Sequence, residues 1–269
     1  MTSVESSPSP SSRRAPRVAV LIPALDEEAA LPLVIAELPR ARVDVLVVVD
    51  NGSKDATGEV ARAAGAFVVR EDRRGYGRAC LTGLEALLAG RHGAPFAPLE
   101  DQDVVVFLDG DHSDFPEELP LVAGPVLERS ADFVVGSRVA GPEGGRVLLP
   151  QARFGNALAC ALMRLLFGAR HTDLGPFRAI RVDALRHLAM RDEDYGWTVE
   201  MQLKARVARL SVREVPVRYR ARIGTSKITG TLAGSARAGF KILAWILGWR
   251  LALLRPGRGI PRFRRSGST

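Results

Sequence analysis

Residues Val104–Pro116 read VVVFLDGDHSDFP: five apolar residues, then Asp109, Asp111 and Asp114 within six positions. A short β-branched apolar run bounded by turn residues predicts a buried strand. Carboxylates this close raise one another's cost of ionisation unless a cation sits between them, so the end of this strand points to a divalent metal. Asp109 and Asp111, two residues apart, share one side of an extended backbone. Mg²⁺ or Mn²⁺ prefers oxygen, and Mg²⁺ is commonly held by one or two carboxylates plus substrate phosphates. A nucleoside diphosphate meets that description. A calcium loop would need Gly at its sixth position and Glu at its twelfth; counted from Asp109 these are Asp114 and Pro120. Asp114 also reads as the cap of the next helix.

The surroundings repeat the pattern of that strand. RVAVLIPA (17–24), VDVLVVVD (43–50), AFVVRE (66–71) and ADFVVGSR (131–138) are apolar runs ended by polar clusters, and helix-like segments separate them. Asp26 is the expected N-cap of the first helix, with acids in its first turn. Such alternation predicts an α/β fold, a mostly parallel sheet with helices on both faces. Ligands of such sheets bind beyond the carboxyl ends of the strands, where residues 23–28, 50–55, 109–114 and 136–138 converge. Asp50 can accept hydrogen bonds from a base or ribose, or simply form a turn. Gly75 and Gly77 open a helix beside Arg73, Arg74 and Arg78, a start whose N–H groups favour an anion.

Beyond Arg138 the pattern loosens into an amphipathic helix near 151–169, a short strand after TDLGPF, a helix from Trp197, the strand VREVPVRYR and a long final helix over 230–254. Residues 1–16 are Ser/Pro-rich without an apolar run, predicting a disordered leader rather than a secretory signal. Cys80 and Cys160 lack metal or redox spacing and read as reduced core residues of a cytoplasmic protein. The net charge is +8, yet twelve of the 38 Lys and Arg lie beyond Val215 with no acid among them. The rest of the chain is therefore net acidic, and the basic end, with a tail over 255–269, suggests an anionic surface as partner. No groove-reading motif or aromatic platform supports a nucleic acid. No apolar run reaches the roughly 18 residues of a spanning helix. The final helix, with Trp245 and Trp249 four residues apart between Lys241 and Arg250, reads either as lying in a membrane interface or as covering the core.

Nine segments in order resemble the family 2 glycosyltransferases of GT-A fold: VLIPALDEE, VVVDNGSKDAT, GYGRACLTGL, VVVFLDGDHSDFPEEL, then FVVGSR, FGNALACALMRLLFG, TDLGPFRAI, WTVEMQLKA and EVPVRYRARIGTSK. The later ones resemble the dolichol-phosphate mannose synthase branch, which glycosylates polyprenyl phosphates. The resemblance implies a catalytic domain over 17–229, its donor half 17–138 and its acceptor half 139–229. It implies a metal-dependent inverting transferase moving a hexose from a GDP-mannose or UDP-glucose type donor to a polyprenyl phosphate, peripheral on the cytoplasmic face of the membrane. A soluble phosphorylated acceptor is the alternative.

By position, Pro23, Asp26, Glu28 and Asp50 would line the nucleoside pocket, and Asp109 and Asp111 match the family's Asp-x-Asp. Ser113 stands where the mannose synthases commonly carry Gln on the metal side, and a hydroxyl is a weaker ligand. Asn51 replaces the second acid of the Asp-Asp-Gly-Ser loop. A phosphate acceptor is already ionised near neutrality and needs positive charge rather than a base; Arg138, Arg222 and Lys227 are the candidates. Asp173, Asp194 and Glu200 are the carboxylates that could serve as a base for a hydroxyl acceptor, and Asp173 and Glu200 read equally as scaffold, with Arg178 a partner for one of them.

Overall fold

The computed structural model describes residues 14–224, 232–253 and 261–264. Lys227, residues 1–13 of the expected leader and much of the basic tail lie outside the described residues. Residues 14–16, also assigned to the leader, lie against the body: the Arg14 guanidinium donates to both oxygens of the buried Asp103, at 2.7 and 2.6 Å.

The chain runs β1 (Val18–Ala24), α1 (Leu31–Ala36), β2 (Val45–Asp50), α2 (Thr57–Ala63), β3 (Phe67–Arg70), α3 (Tyr76–Ala89), β4 (Val104–Phe107), α4 (Leu119–Leu127), β5 (Phe133–Ser137), α5 (Pro150–Phe167), β6 (Arg178–Arg181), α6 (Val182–Leu188), α7 (Trp197–Val207), β7 (Val212–Pro216) and α8 (Leu232–Leu253). The seven strands form one sheet in the order β3-β2-β1-β4-β6-β5-β7. All pairs are parallel except those of β6, which runs against both β4 and β5. The carboxyl ends of β1, β2, β4 and β5 therefore share one rim, and the reversed β6 returns the chain from it.

Parity along the strands sorts the core. Leu21, Val47, Val49, Val105 and Phe107 point to the face covered by α3, α6 and α7. Val20, Ile22, Leu46, Val48, Val104 and Val106 point to the opposite face, with α1 and α4. Alternation across two covered faces is why these strands are apolar throughout. A third cluster, including Met163, Val199, Leu203 and Ile246, joins α5, α7 and α8 beyond the sheet. Cys80 and Cys160 are free and buried, as expected.

Local expectations failed at two caps. Asp26 lies at φ 52°, in the left-handed region, and α1 begins only at Leu31 without a side-chain cap or an acid in its first turn. Asp114 is 1% exposed and does not cap the turn after it, whose N-cap position is Phe115. The final helix covers the body with one face. Trp245 and Trp249 stack with centroids 6.4 Å apart, and Trp249 lies under the Lys204 ammonium at 5.8 Å. Among the described residues no helix is long and apolar enough to cross a membrane.

Candidate active site

A cleft of about 260 Å³ opens at the shared rim, lined among others by Pro23, Glu27, Asn51, Asp109, Asp111 and Arg222. Three loops build it, and each is held by side chains that the sequence offered as ligands. Asp26 accepts from Lys54 N at 2.7 Å, and Glu28 accepts from Ala56 N at 2.9 Å. Asp50, 5% exposed, accepts from Ser53 N at 2.8 Å and from Arg70 at 2.6 Å. Burial pushes its pKa up, but the Ser53 and Arg70 hydrogen bonds outweigh that and hold it below the usual range. Asp26 and Glu28 tie the β1–α1 loop to the β2–α2 loop, Asp50 ties the latter to β3, and none of the three lines the cleft. Pro23 does line it, and Glu27 and Asn51 take the places expected of the acids beside them. Asn51 donates to the carbonyls of Glu71 and Arg73, at 3.1 and 2.8 Å, and accepts from Gly75 N at 2.9 Å. An aspartate there could not donate, which accounts for the amide.

At the glycine-rich start of α3, Gly75 lines the cleft, but the N–H groups of Gly77 and Arg78 are taken rather than open to an anion. Gly77 N and Arg78 N donate to the carbonyls of Asp194 and Glu193, at 3.2 and 2.8 Å. Gly75 sits at φ 148°, and a Cβ on either glycine would overlap a backbone carbonyl of that facing loop, Glu193 O for Gly75 and Asp192 O for Gly77. Both positions require glycine because two backbones touch. Gly77→Ala should therefore cost about 1–3 kcal/mol by overpacking, lowering the Tm by roughly 2–10 °C in a thermal melt. An unchanged Tm would show that the facing loop yields freely.

That loop is itself pinned by Glu200, which is fully buried. Glu200 accepts from Arg191 N and Asp192 N and pairs with Lys204 at 2.7 Å. Asp173, equally buried, accepts from Arg138 N, Nε and a terminal nitrogen at 2.8, 2.8 and 2.7 Å. Both carboxylates are taken up by these contacts, and the Arg138 guanidinium by Asp173. Arg178 pairs with neither acid: it donates to the carbonyls of Leu174, Gly175 and Thr198, and burial pushes it down to about 10.

At the centre of the cleft, Asp109 accepts from the Tyr76 hydroxyl at 3.1 Å. Burial, and then the charge of Asp111, push Asp109 up to about 6. Asp111 accepts from Ser113 N and Oγ at 2.9 and 2.6 Å, and its other oxygen meets Arg222 at 2.6 Å. Ser113 is 1% exposed with its hydroxyl directed at Asp111, so it orients that carboxylate and does not stand at the cleft as a metal ligand. Arg222 arrives because the chain after β7 runs along the aspartate loop. Arg220 N donates to Ser113 O at 2.9 Å and Ile223 N to Asp111 O at 3.0 Å. The guanidiniums of Arg218 and Arg220 both lie against the Phe115 ring, at 4.0 and 4.3 Å. Asp114 is buried with neither carboxylate oxygen hydrogen-bonded, and burial followed by the Asp109 charge push its pKa well up.

This donor set fits a hard divalent cation. Two carboxylates face one cleft, one of them reluctant to ionise beside the other. Among the described residues no group of three His, Cys, Asp or Glu is placed to hold a metal. The remaining ligands would thus come from a bound diphosphate, the usual arrangement for Mg²⁺. Tyr76, Tyr195, Glu27 and Asn51 line the cleft without having been singled out as ligands by the sequence; nothing in a lone Tyr or Glu marks it until the loops are folded.

Comparison with known proteins agrees with this geometry. The profile of glycosyl transferase family 2 matches residues 19–189. An undecaprenyl-phosphate mannosyltransferase of Micrococcus luteus is 34% identical over 260 residues, covering 91% of this chain and 100% of that protein. A dolichyl-phosphate hexose transferase of Haloferax volcanii is 32% identical over 88% of this chain and 96% of its own. Among solved structures, glucosyl-3-phosphoglycerate synthase of Mycobacterium tuberculosis, in complex with Mn²⁺, UDP and glucosyl-3-phosphoglycerate, superposes with a TM-score of 0.64 at 26% identity, over 87% of this chain and 80% of that one. The chain belongs to glycosyl transferase family 2 and is a hexosyltransferase of GT-A fold.

Proposed function

We propose that this hexosyltransferase moves a hexose from a GDP- or UDP-sugar to a polyprenyl phosphate, with inversion, using Mg²⁺ or Mn²⁺ held by Asp109 and Asp111. The observation that carries the phosphate acceptor is the engagement of Asp173 and Glu200. Of the three acids that could have served as a base, Asp173 and Glu200 are fully buried and bound to Arg138, Lys204 and backbone N–H groups, and Asp194, half-buried, lies on the loop seated against the start of α3. A phosphate monoester brings its own charged oxygen at neutral pH and leaves them free to be scaffold. The likeness to lipid-phosphate transferases along nearly the whole chain supports the lipid form. The cation would neutralise the departing diphosphate. Ser113 orients Asp111, Tyr76 orients Asp109, and Asn51 with Glu200 holds the loops that shape the nucleoside end. Arg222, on the loop leading to Lys227, is the guanidinium that receives the acceptor phosphate. A soluble phosphorylated acid is the second reading, favoured by the resemblance to the phosphoglycerate enzyme.

The test is incubation of the protein with labelled nucleotide sugars, Mg²⁺ or Mn²⁺, and either polyprenyl phosphate in vesicles or phosphoglyceric acid. Label in the organic phase supports the lipid acceptor, and label confined to a water-soluble product supports the other. Arg222→Ala carries a sharper expectation. Losing a charge-assisted contact to phosphate should raise the acceptor KM about 10- to 100-fold. The same change frees Asp111, so Mn²⁺ titrated into the nucleotide-free variant should bind more tightly than to the parent. A raised donor KM with an unchanged acceptor KM would remove Arg222 from the acceptor side.

A further inference from the structure

A basic shelf lies where α5 and α7 end. Two adjoining surface hollows of about 590 and 670 Å³ are lined by Arg164, Arg170, Arg206, Arg209 and Arg250. Arg206 donates to Phe167 O at 3.1 Å. The side chains of the other four arginines are exposed and have no partner among the described residues. The single carboxylate in the lining, Glu214, is occupied by Thr172, whose N and Oγ1 donate to it at 2.8 and 2.9 Å. Guanidiniums gathered this way repel one another, and their field favours an anion with several phosphates.

What lies beside the shelf says which anion. Phe154, Leu158 and Leu165 on α5 are 71, 37 and 78% exposed. Their spacing of four and seven residues puts them on one side of the helix. On α8, Leu247 and Leu251 are 51 and 64% exposed, while the buried Met163 and Ile246 join the two helices from within. The described end of the basic tail returns to the same place: Phe263 N donates to Ala208 O at 2.9 Å, one residue before Arg209. An apolar ridge bordered by unpaired arginines is complementary to acyl chains under anionic headgroups, whereas a nucleic acid would leave the ridge in water.

We propose that the Arg164–Arg170–Arg206–Arg209–Arg250 shelf, with the exposed ridge of α5 and α8, is the face that docks this enzyme on an anionic phospholipid bilayer. The expected basic tail is thereby one part of a surface built mostly by the body. The purpose of docking rests on the lipid-acceptor reading; the docking itself does not, since it is measured without donor or acceptor.

The experiment is flotation of the full chain with vesicles of phosphatidylglycerol and phosphatidylcholine in equal parts, and with phosphatidylcholine alone. Each arginine near an anionic surface is worth about five-fold in partitioning. Arg209→Gln/Arg250→Gln should therefore bind the anionic vesicles on the order of 25-fold more weakly, with an unchanged melting temperature. Arg42→Gln/Arg91→Gln, the same charge loss at exposed sites outside the shelf, should bind like the parent. Leu165→Ser/Leu251→Ser should weaken binding to both vesicles. Equal losses in the two arginine pairs would overturn the proposal in favour of diffuse charge. Retained vesicle binding with loss of binding to duplex DNA would overturn it in favour of a nucleic-acid face. Transfer to a short-chain prenyl phosphate in detergent tests the acceptor reading alone, and Arg209→Gln/Arg250→Gln should keep it.

Discussion

Asp109→Asn is expected to lose hexosyl transfer by on the order of 10³-fold and yet to melt at a higher temperature than the parent. The loss follows from removing one of two carboxylates that hold the cation, whose stabilisation of the departing charge is worth several kcal/mol. The gain follows from the pKa. In the folded, metal-free chain, burial and the neighbouring Asp111 raise Asp109 from 3.8 to about 6. A carboxyl raised on folding is ionised at a cost. The cost is absent below the unfolded value, grows as pH rises from there to about 6, and is constant above. Asparagine removes it at pH 7, keeps an oxygen for the Tyr76 hydroxyl, and should stabilise by about 1–2 kcal/mol, or roughly 2–6 °C. Melts of the metal-free pair should converge as the pH is lowered to about 4. Mn²⁺ affinity of the parent should fall below about pH 6, where a proton competes for the same oxygen. Asp111→Asn should lose activity comparably without the gain, because it breaks the ion pair with Arg222. A lower Tm for Asp109→Asn would mean that the two carboxylates are already compensated and need no cation.

The stretch that contains this pair was legible because its chemistry is local. Asp109 and Asp111 follow the end of β4 within four residues, so the direction of that strand puts both on the rim whatever the rest of the chain does, and parity along β1, β2 and β4 sorts the two faces of the core. What could not be read was set by distant partners. The positive φ of Asp26 turns the loop, so that Glu27 rather than its neighbours lines the cleft. The direction of β6 is fixed by how the chain returns from the rim, and four residues, Arg-Ala-Ile-Arg, carry no mark of it. Gly77 looked like an anion cradle because its spacing is that of one; only the fold shows the 192–194 loop already seated there. Trp245 and Trp249 suit a membrane interface by type, but Lys204 and the third core cluster hold Trp249 inward.

Asp173 decides between scaffold and base, and its removal should cost the most stability of any change named here. The carboxylate is fully buried and takes three hydrogen bonds from Arg138, which in turn covers the Tyr219 ring at 5.0 Å. Deleting one member of such a pair leaves the other charged and unpaired away from water, at about 3–5 kcal/mol. Asp173→Ala should thus melt roughly 10 °C or more below the parent. Replacing both members, as in Asp173→Leu/Arg138→Met, removes the orphaned charge as well and should recover much of the loss, since apolar replacements of buried pairs are often neutral. A catalytic base behaves differently: its removal lowers kcat in a protein that still melts normally, and the Arg138 change brings nothing back. Arg138 also acts at a distance, because its charge eases the ionisation of both Asp109 and the buried Asp114. In the recovered double variant Asp109 should titrate at higher pH than in the parent, seen as a Mn²⁺ affinity that declines from a higher pH. A double variant that regained its Tm and kept the parent's Mn²⁺ profile would confine Arg138 to the scaffold.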